Sequence, residues 1–114
     1  MKLLLASLLA TTSVAVAAPA PARVQVVARE YSFQLSRVKV KPGSAILELA
    51  NFGQDPHDLR VQRRGASHIA GLGVVPPGAR ALLSLHLRPG RYSLWCSVAD
   101  HRARGMQATL IVTR

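Results

Sequence analysis

A thiol, an imidazole and a thioether follow one another at even spacing near the end of this 114-residue chain. Cys96 is the only cysteine, His101 follows five positions later, and Met106 another five positions later. Side chains alternate between the two faces of a strand, so Cys96 shares a face with Leu94, and Met106 shares a face with Leu110. If both apolar faces point into a core, the three side chains meet at one rim of it.

These side chains predict a copper site if a second histidine completes the set. Thiolate and thioether are soft ligands that favour Cu(I), and two histidines, one cysteine and a long axial methionine form the electron-transfer copper site. The candidates for the missing imidazole are His57, His68 and His86. His86 alternates out of phase with the leucines around it and is expected to face solvent, and His68 lies in a segment without a clear pattern. We choose His57, in the loop NFGQDPHD, because a second loop is needed to surround an ion. Zinc is disfavoured because thioether is a poor zinc ligand.

The first residues have the pattern of a secretory signal peptide. Lys2 precedes an apolar run over residues 3–10, and small residues at Ala15 and Ala17 suit a cleavage site. A membrane anchor is the rival interpretation, but the run is interrupted by polar residues and is short for the roughly 20 residues that a span needs. We predict a signal peptide over 1–17, a single domain over 18–114, and export to the periplasm or the extracellular space.

Charge and cysteine content narrow the classes of partner. The formal net charge is +10, and +9 without Lys2. Such a charge favours nucleic acid, anionic surfaces or acidic proteins, and an export signal argues against nucleic acid. A single cysteine in an exported protein forms no internal disulfide, so it is buried, paired between chains, or used.

The rest of the chain reads as short strands separated by turns. Pro-Gly pairs at 42–43, 77–78 and 89–90 separate stretches in which apolar and polar residues alternate with a period of two. About seven or eight strands are expected, which predicts an all-β sandwich or barrel. Residues 52–58 are expected to form a loop, and residues 66–78 mostly a loop with a short helical turn.

Two segments resemble the blue-copper cupredoxins, the group of plastocyanin and azurin. They are DPHDL and LWCSVADHRARGMQATL, and the likeness extends over nearly all of 18–114. The resemblance implies a two-sheet Greek-key β-sandwich with one type 1 copper per chain, ligated by His57, Cys96, His101 and Met106. The residue after the first histidine is commonly Asn in that family and ties the two ligand loops together. Here it is Asp58, which is expected to accept a hydrogen bond from the opposite loop and to favour Cu(II).

A site with all four ligand positions filled leaves no place for a substrate, which argues against an enzyme. The histidines that relay electrons beside the copper cysteine of multicopper oxidases and copper nitrite reductases are replaced by Trp95 and Ser97. The sequence therefore predicts a monomeric carrier of single electrons between redox proteins, without stable membrane insertion. Arg102 and Arg104 beside the ligand histidine predict a docking face for an acidic partner. The alternatives are a copper carrier or chaperone and, more weakly, a metal-free β-sandwich that binds other molecules.

Overall fold

The computed structural model describes residues 1–114 and contains nine strands and no helix. The strands are β1 (Ala22–Arg29), β2 (Ser32–Leu35), β3 (Lys39–Val40), β4 (Gly43–Asn51), β5 (His57–Arg63), β6 (Ala70–Val75), β7 (Arg80–Leu87), β8 (Gly90–Trp95) and β9 (Gln107–Val112).

The strands form two sheets. One has the order β2-β1-β4-β7 and the other the order β3-β9-β8-β5-β6. The pairs β1–β4 and β3–β9 are parallel, and the remaining pairs are antiparallel. The chain crosses repeatedly from one sheet to the other, for example between β4 and β5 and between β7 and β8. The predicted all-β sandwich of two sheets is therefore confirmed.

The core lies between the sheets because each strand turns its apolar face inward. In β1 and β4 the buried side chains alternate along the strand, as at Val24 and Val26 and at Leu47 and Leu49. The core cluster contains 18 buried residues, and Cys96 and Met106 belong to it. Both lie just outside a strand end: Cys96 directly follows β8 and Met106 directly precedes β9. The pairing of β8 with β9 therefore brings the thiol and the thioether to the same rim.

The prediction of a loop with a helical turn over residues 66–78 was wrong, because residues 70–75 form β6 and raise the strand count to nine. This edge strand pairs with β5, with Leu72 opposite Leu59. Gly71 and Gly73 interrupt the apolar alternation that marks a strand in a sequence. A β-carbon at Gly71 would lie 2.5 Å from the carbonyl oxygen of Leu59, so close approach of the two backbones requires glycine there.

The loop predicted over residues 52–58 is shorter than expected, since His57 and Asp58 are the first two residues of β5. His57 pairs with Val75 of β6, and the register shifts between His57 and Leu59. The ligand candidate is thus fixed by a strand as well as by the loop that precedes it.

Residues 1–21 have no regular secondary structure, and their side chains are exposed. The molecule contains no helix with the length and apolar character that crossing a membrane requires. The signal peptide over 1–17 stays a prediction.

Candidate metal centre

Three donor atoms from two separate parts of the chain converge at one end of the core. His57 Nδ1 lies 3.2 Å from His101 Nδ1, and Cys96 Sγ lies 3.9 Å from the first nitrogen and 3.6 Å from the second. At ordinary bond lengths of about 2.0 Å to nitrogen and 2.3 Å to sulfur, a trigonal ion needs its donors roughly 3.5–3.8 Å apart. The three distances lie inside this range or within about 0.3 Å of it, so the triangle suits a metal ion after a small adjustment.

All three donors are shielded from water. His57 and Cys96 have no exposed surface, and His101 is 6% exposed. Buried imidazole and thiol groups need partners, and here they face one another with the geometry of a ligand set. The sequence-predicted His57, Cys96 and His101 are thus brought together.

Met106 reaches the same place through the backbone. Its N–H donates to the carbonyl oxygen of His101 at 3.1 Å, and its own carbonyl accepts from the Cys96 N–H at 3.1 Å. Its side chain is fully buried. These bonds close the loop between β8 and β9, so that the thioether lies in the core beneath the loop. Its role as the fourth ligand is a proposal taken up below.

The loop that carries His101 is held by its own turns. The His101 N–H donates to the carbonyl oxygen of Val98 at 3.0 Å, and the Gly105 N–H donates to that of Arg102 at 3.0 Å. Gly105 has a backbone φ of +122°, a conformation that residues with a side chain rarely adopt. A β-carbon there would also lie 3.0 Å from the Tyr31 carbonyl oxygen. Glycine lets the chain turn tightly into Met106, which keeps the spacing between the imidazole and the thioether short.

Asp58 joins the two ligand-bearing segments. Its Oδ1 accepts the Ser97 N–H at 2.6 Å, and its Oδ2 accepts the Ser97 hydroxyl. The expectation that this aspartate accepts a hydrogen bond from the opposite loop is confirmed. Because Asp58 follows His57 and Ser97 follows Cys96, the contact fixes the imidazole relative to the thiol.

Burial raises the pKa of the Cys96 thiol above its usual range, and the negative charge of Asp58 acts in the same direction, against backbone N–H groups that lower it. A ligand cysteine must lose its proton when it binds a metal. The site therefore favours a neutral thiol until a cation replaces the proton.

Glu30 is a contact of the site that the sequence analysis missed. Its Oε1 lies 3.0 Å from His57 Nε2, the nitrogen that points away from the other donors, and it also accepts the Gln54 and Asp55 N–H groups at 2.8 and 2.7 Å. These bonds, above all that from Asp55, lower the pKa of Glu30 to about 2. Glu30 lies 27 positions from His57 in the chain, so no local spacing signals the contact. The scarcity of acidic residues is the one feature that could have drawn attention to it.

The outer side of His101 faces a mixed set of groups. Its Nε2 lies 3.7 Å from Asp55 Oδ2, and its ring packs against Tyr31 with centroids 5.1 Å apart. Arg104 lies over the Tyr31 ring and forms an ion pair with Asp100 at 2.8 Å.

The two remaining histidines, His68 and His86, are exposed and lie outside the donor cluster. They line a separate cavity of about 340 Å³ between β5, β6 and β7.

No family model matches the chain, and no curated protein sequence matches it. Solved structures do match. Auracyanin A, a "blue" copper protein from Chloroflexus aurantiacus, superposes with a TM-score of 0.66 at 12% identity over 82% of this chain and 100% of that chain. Rusticyanin from Thiobacillus ferrooxidans gives 0.63 at 20% identity over 82% and 79% of the two chains. A multicopper oxidase gives 0.58 at 18% identity over 79% of this chain and 41% of that chain.

The chain therefore has the cupredoxin fold, and the resemblance drawn from the sequence is confirmed at the level of the fold. Two imidazoles and one thiol converge at one rim of the sandwich, and the buried thioether of Met106 lies at the same rim. These are the residue types that form a type 1 copper site.

Proposed function

We propose that this protein binds one copper ion through His57, Cys96, His101 and Met106 and carries single electrons between redox partners. The observation that carries the proposal is the buried triangle of Cys96 Sγ and two imidazole Nδ1 atoms, with distances of 3.2–3.9 Å between the donors. Copper bound there supplies a one-electron redox couple. The chain supplies ligands of intermediate softness, which suit both oxidation states.

The rigidity of the site supports electron transfer. Hydrogen bonds from Ser97 to Asp58, and between the backbones of Cys96, His101 and Met106, hold the donors in place. Donors held in this way need little movement when the charge of the ion changes, and small rearrangement favours fast exchange of an electron.

The same features disfavour the alternatives. A catalytic metal keeps an open position for substrate, whereas the four buried donors proposed here would leave none. The match to a multicopper oxidase spans less than half of that chain, and Trp95 and Ser97 flank the cysteine here in place of relay histidines. A copper chaperone would present exposed methionines for release of the ion, whereas Met106, the one methionine of residues 18–114, is fully buried.

Electrons are proposed to enter and leave at His101, whose ring lies at the rim with 6% exposure. Export is proposed from the sequence pattern of residues 1–17, with cleavage near Ala17 and a working location in the periplasm or outside the cell. The partners are proposed to be redox proteins that meet a monomer at this rim.

The test is a copper titration followed by visible absorption. We expect one Cu(II) per chain and an intense band from charge transfer between thiolate and copper. Cys96→Ser removes the donor and should abolish the band, while circular dichroism still shows the β fold. His57→Ala should weaken binding and alter the spectrum, because one corner of the triangle is lost.

His68→Ala and His86→Ala are the matched controls, since each removes an exposed imidazole outside the cluster, and both should keep the band. If the His68 variant loses the band and the His57 variant keeps it, the ligand assignment is wrong. A wild-type protein that binds Cu(II) without any thiolate band would contradict the proposed type 1 site itself.

A further inference from the structure

Acidic residues are few in this chain, and most of them lie at the candidate metal centre. The chain has five Asp and Glu residues against 15 Lys and Arg. Four of the five touch the ligand residues or the loops that carry them, and they are Glu30, Asp55, Asp58 and Asp100. Only Glu48, in the middle of β4, lies elsewhere. A strongly basic protein thus concentrates negative charge around one buried cluster.

Glu30 differs from the other three carboxylates in its contact. Asp58 is bound to Ser97, and Asp100 is paired with Arg104. Asp55 lies 3.7 Å from His101 Nε2 and is partly exposed. Glu30 is the one of the four that lies within hydrogen-bond distance of a ligand imidazole, at 3.0 Å from His57 Nε2, and it forms no ion pair with an Arg or Lys.

The Glu30 carboxylate is fixed in position. It accepts two backbone N–H groups from the loop before His57, those of Gln54 and Asp55. Gly53 leaves the space that the carboxylate occupies, since a β-carbon on that residue would overlap it. Gly53 is not among the residues with positive φ, so its lack of a side chain serves this close approach and not a special backbone conformation.

We propose that Glu30 is a positioning residue that acts on copper through His57 and lowers the reduction potential of the site. The inference rests on the proposed function. A carboxylate that accepts the outer N–H of a ligand histidine fixes the tautomer and the ring orientation and makes the imidazole a stronger donor. Here it leaves Nδ1 free to face Cys96 Sγ and His101 Nδ1. The negative charge of Glu30, next to His57, stabilises Cu(II) more than Cu(I), because Coulomb attraction scales with the charge of the ion.

The test compares two variants that change net charge equally. Glu30→Gln keeps the shape of the side chain and removes its charge, and Glu48→Gln does the same on β4, away from the site. Changes to such outer partners alter metal affinity by about 10–100-fold, and the partial exposure of Glu30 places the effect at the lower end. We expect Glu30→Gln to weaken Cu(II) about tenfold more than Cu(I), which is a rise in potential of about 59 mV for a one-electron couple. Glu48→Gln should leave the potential unchanged.

A second variant separates placement from charge. Gly53→Ala keeps every charge and displaces the carboxylate, so it should raise the potential in the same direction as Glu30→Gln. In the copper-free wild type, ¹⁵N NMR should find the His57 proton on Nε2, facing Glu30. A proton on Nδ1 instead would overturn the positioning role without any use of copper.

The outcomes distinguish this inference from the proposed function. If the wild type shows the thiolate–copper band, and Glu30→Gln and Glu48→Gln have the same potential, the role of Glu30 is wrong and the copper site stands. If the wild type binds no copper, the proposed function is wrong, and the copper-free NMR measurement still decides whether Glu30 orients His57.

Discussion

The environment of Cys96 suits a metal ligand and not a nucleophile. A reactive cysteine has a lowered pKa and access to solvent, whereas Cys96 has no exposed surface and burial raises the pKa of its thiol. Two imidazole nitrogens lie within 3.9 Å of its sulfur, close enough to share one cation with it. The residue chemistry thus supports binding of an ion and not covalent catalysis.

Met106 provides a prediction about the fourth position. Its thioether would be a weak fourth ligand that tunes the potential of a bound copper ion. Met106→Leu keeps a buried apolar side chain of similar volume, so the free energy of unfolding of the copper-free protein should fall by less than about 1.5 kcal/mol. The variant should still bind copper, and its reduction potential should rise because a donor to Cu(II) is lost. Voltammetry of the two proteins measures the shift, and a lower potential in the variant would contradict the role of Met106 as a ligand.

The residues of the site differ in how far the sequence could predict them. Cys96 and Met106 could be predicted because strand alternation sets the direction of their side chains, and His101 because it lies in the short loop between them. His57 was found by eliminating the other histidines, since a lone imidazole in a loop carries little signal. Glu30 was missed because its contact depends on how the end of β1 meets the loop before β5, and only the packed structure brings those segments together.

At the scale of elements, alternation predicted the strands that bury one face and failed for the edge strand. β1, β4 and β8 have clear inward rows, and their positions were predicted to within a few residues. β6 has two glycines and mostly exposed or half-buried side chains, so pairing with β5 defines it more than local pattern does. The rim that carries the candidate site was predictable despite this error because β8 and β9, which have Cys96 and Met106 next to their ends, were among the clear strands.

One side-chain network links three strands of the four-stranded sheet and gives a pH prediction. Glu48 on β4 accepts from Gln25 Nε2 of β1 at 2.9 Å and from Arg80 Nη1 of β7 at 3.0 Å. The hydrogen bond from Gln25, followed by the bond and charge of Arg80, lowers the pKa of Glu48. A carboxyl group whose pKa is lower in the folded than in the unfolded state stabilises the fold at pH values above its unfolded-state pKa. This contribution is lost as the pH falls through its folded-state pKa.

Glu48→Gln should therefore destabilise the copper-free protein by about 0.2–1 kcal/mol at pH 7, the range of exposed ion pairs. The difference from wild type should shrink as the pH falls below the ordinary glutamate value of 4.5. Urea unfolding of both proteins at a series of pH values measures it. A difference that stays constant from neutral to acid pH would show that charge at this position contributes nothing.

At the scale of the whole molecule, charge is distributed unevenly. The chain carries a net charge of +10, yet four of its five carboxylates surround the candidate site. Arg102 and Arg104 are the cations next to the proposed ligand His101, and the two side chains make different contacts. Arg104 is paired with Asp100 at 2.8 Å, whereas Arg102 lies over the Trp95 ring at 4.4 Å and forms no ion pair. Arg102 is therefore the better placed of the two to meet a carboxylate on a partner.

The proposed docking of an acidic redox protein over this rim predicts a salt-dependent rate. Steering by charge raises association rates by roughly 10–10³-fold at low salt, and it fades as the Debye length falls from about 30 Å at 0.01 M to about 10 Å at 0.1 M ionic strength. Replacing Arg102 and Arg104 with Glu should slow bimolecular electron transfer to an acidic redox protein at low salt and flatten the salt dependence, with the copper spectrum little changed. Stopped-flow kinetics across a salt series measures both effects.

The control for this prediction carries the same change in net charge at the opposite end of the sandwich. Arg88 and Arg91 are exposed beside the start of β8, and Cys96 follows the other end of that strand. Replacing this remote pair with Glu alters the overall field equally but leaves the rim around His101 intact, so it should slow the reaction less. Equal slowing by the two pairs would mean that only net charge steers the partner. An unchanged rate for the Arg102 and Arg104 variant at every ionic strength would leave those arginines as ordinary surface charge, and docking would then depend on an uncharged part of the rim.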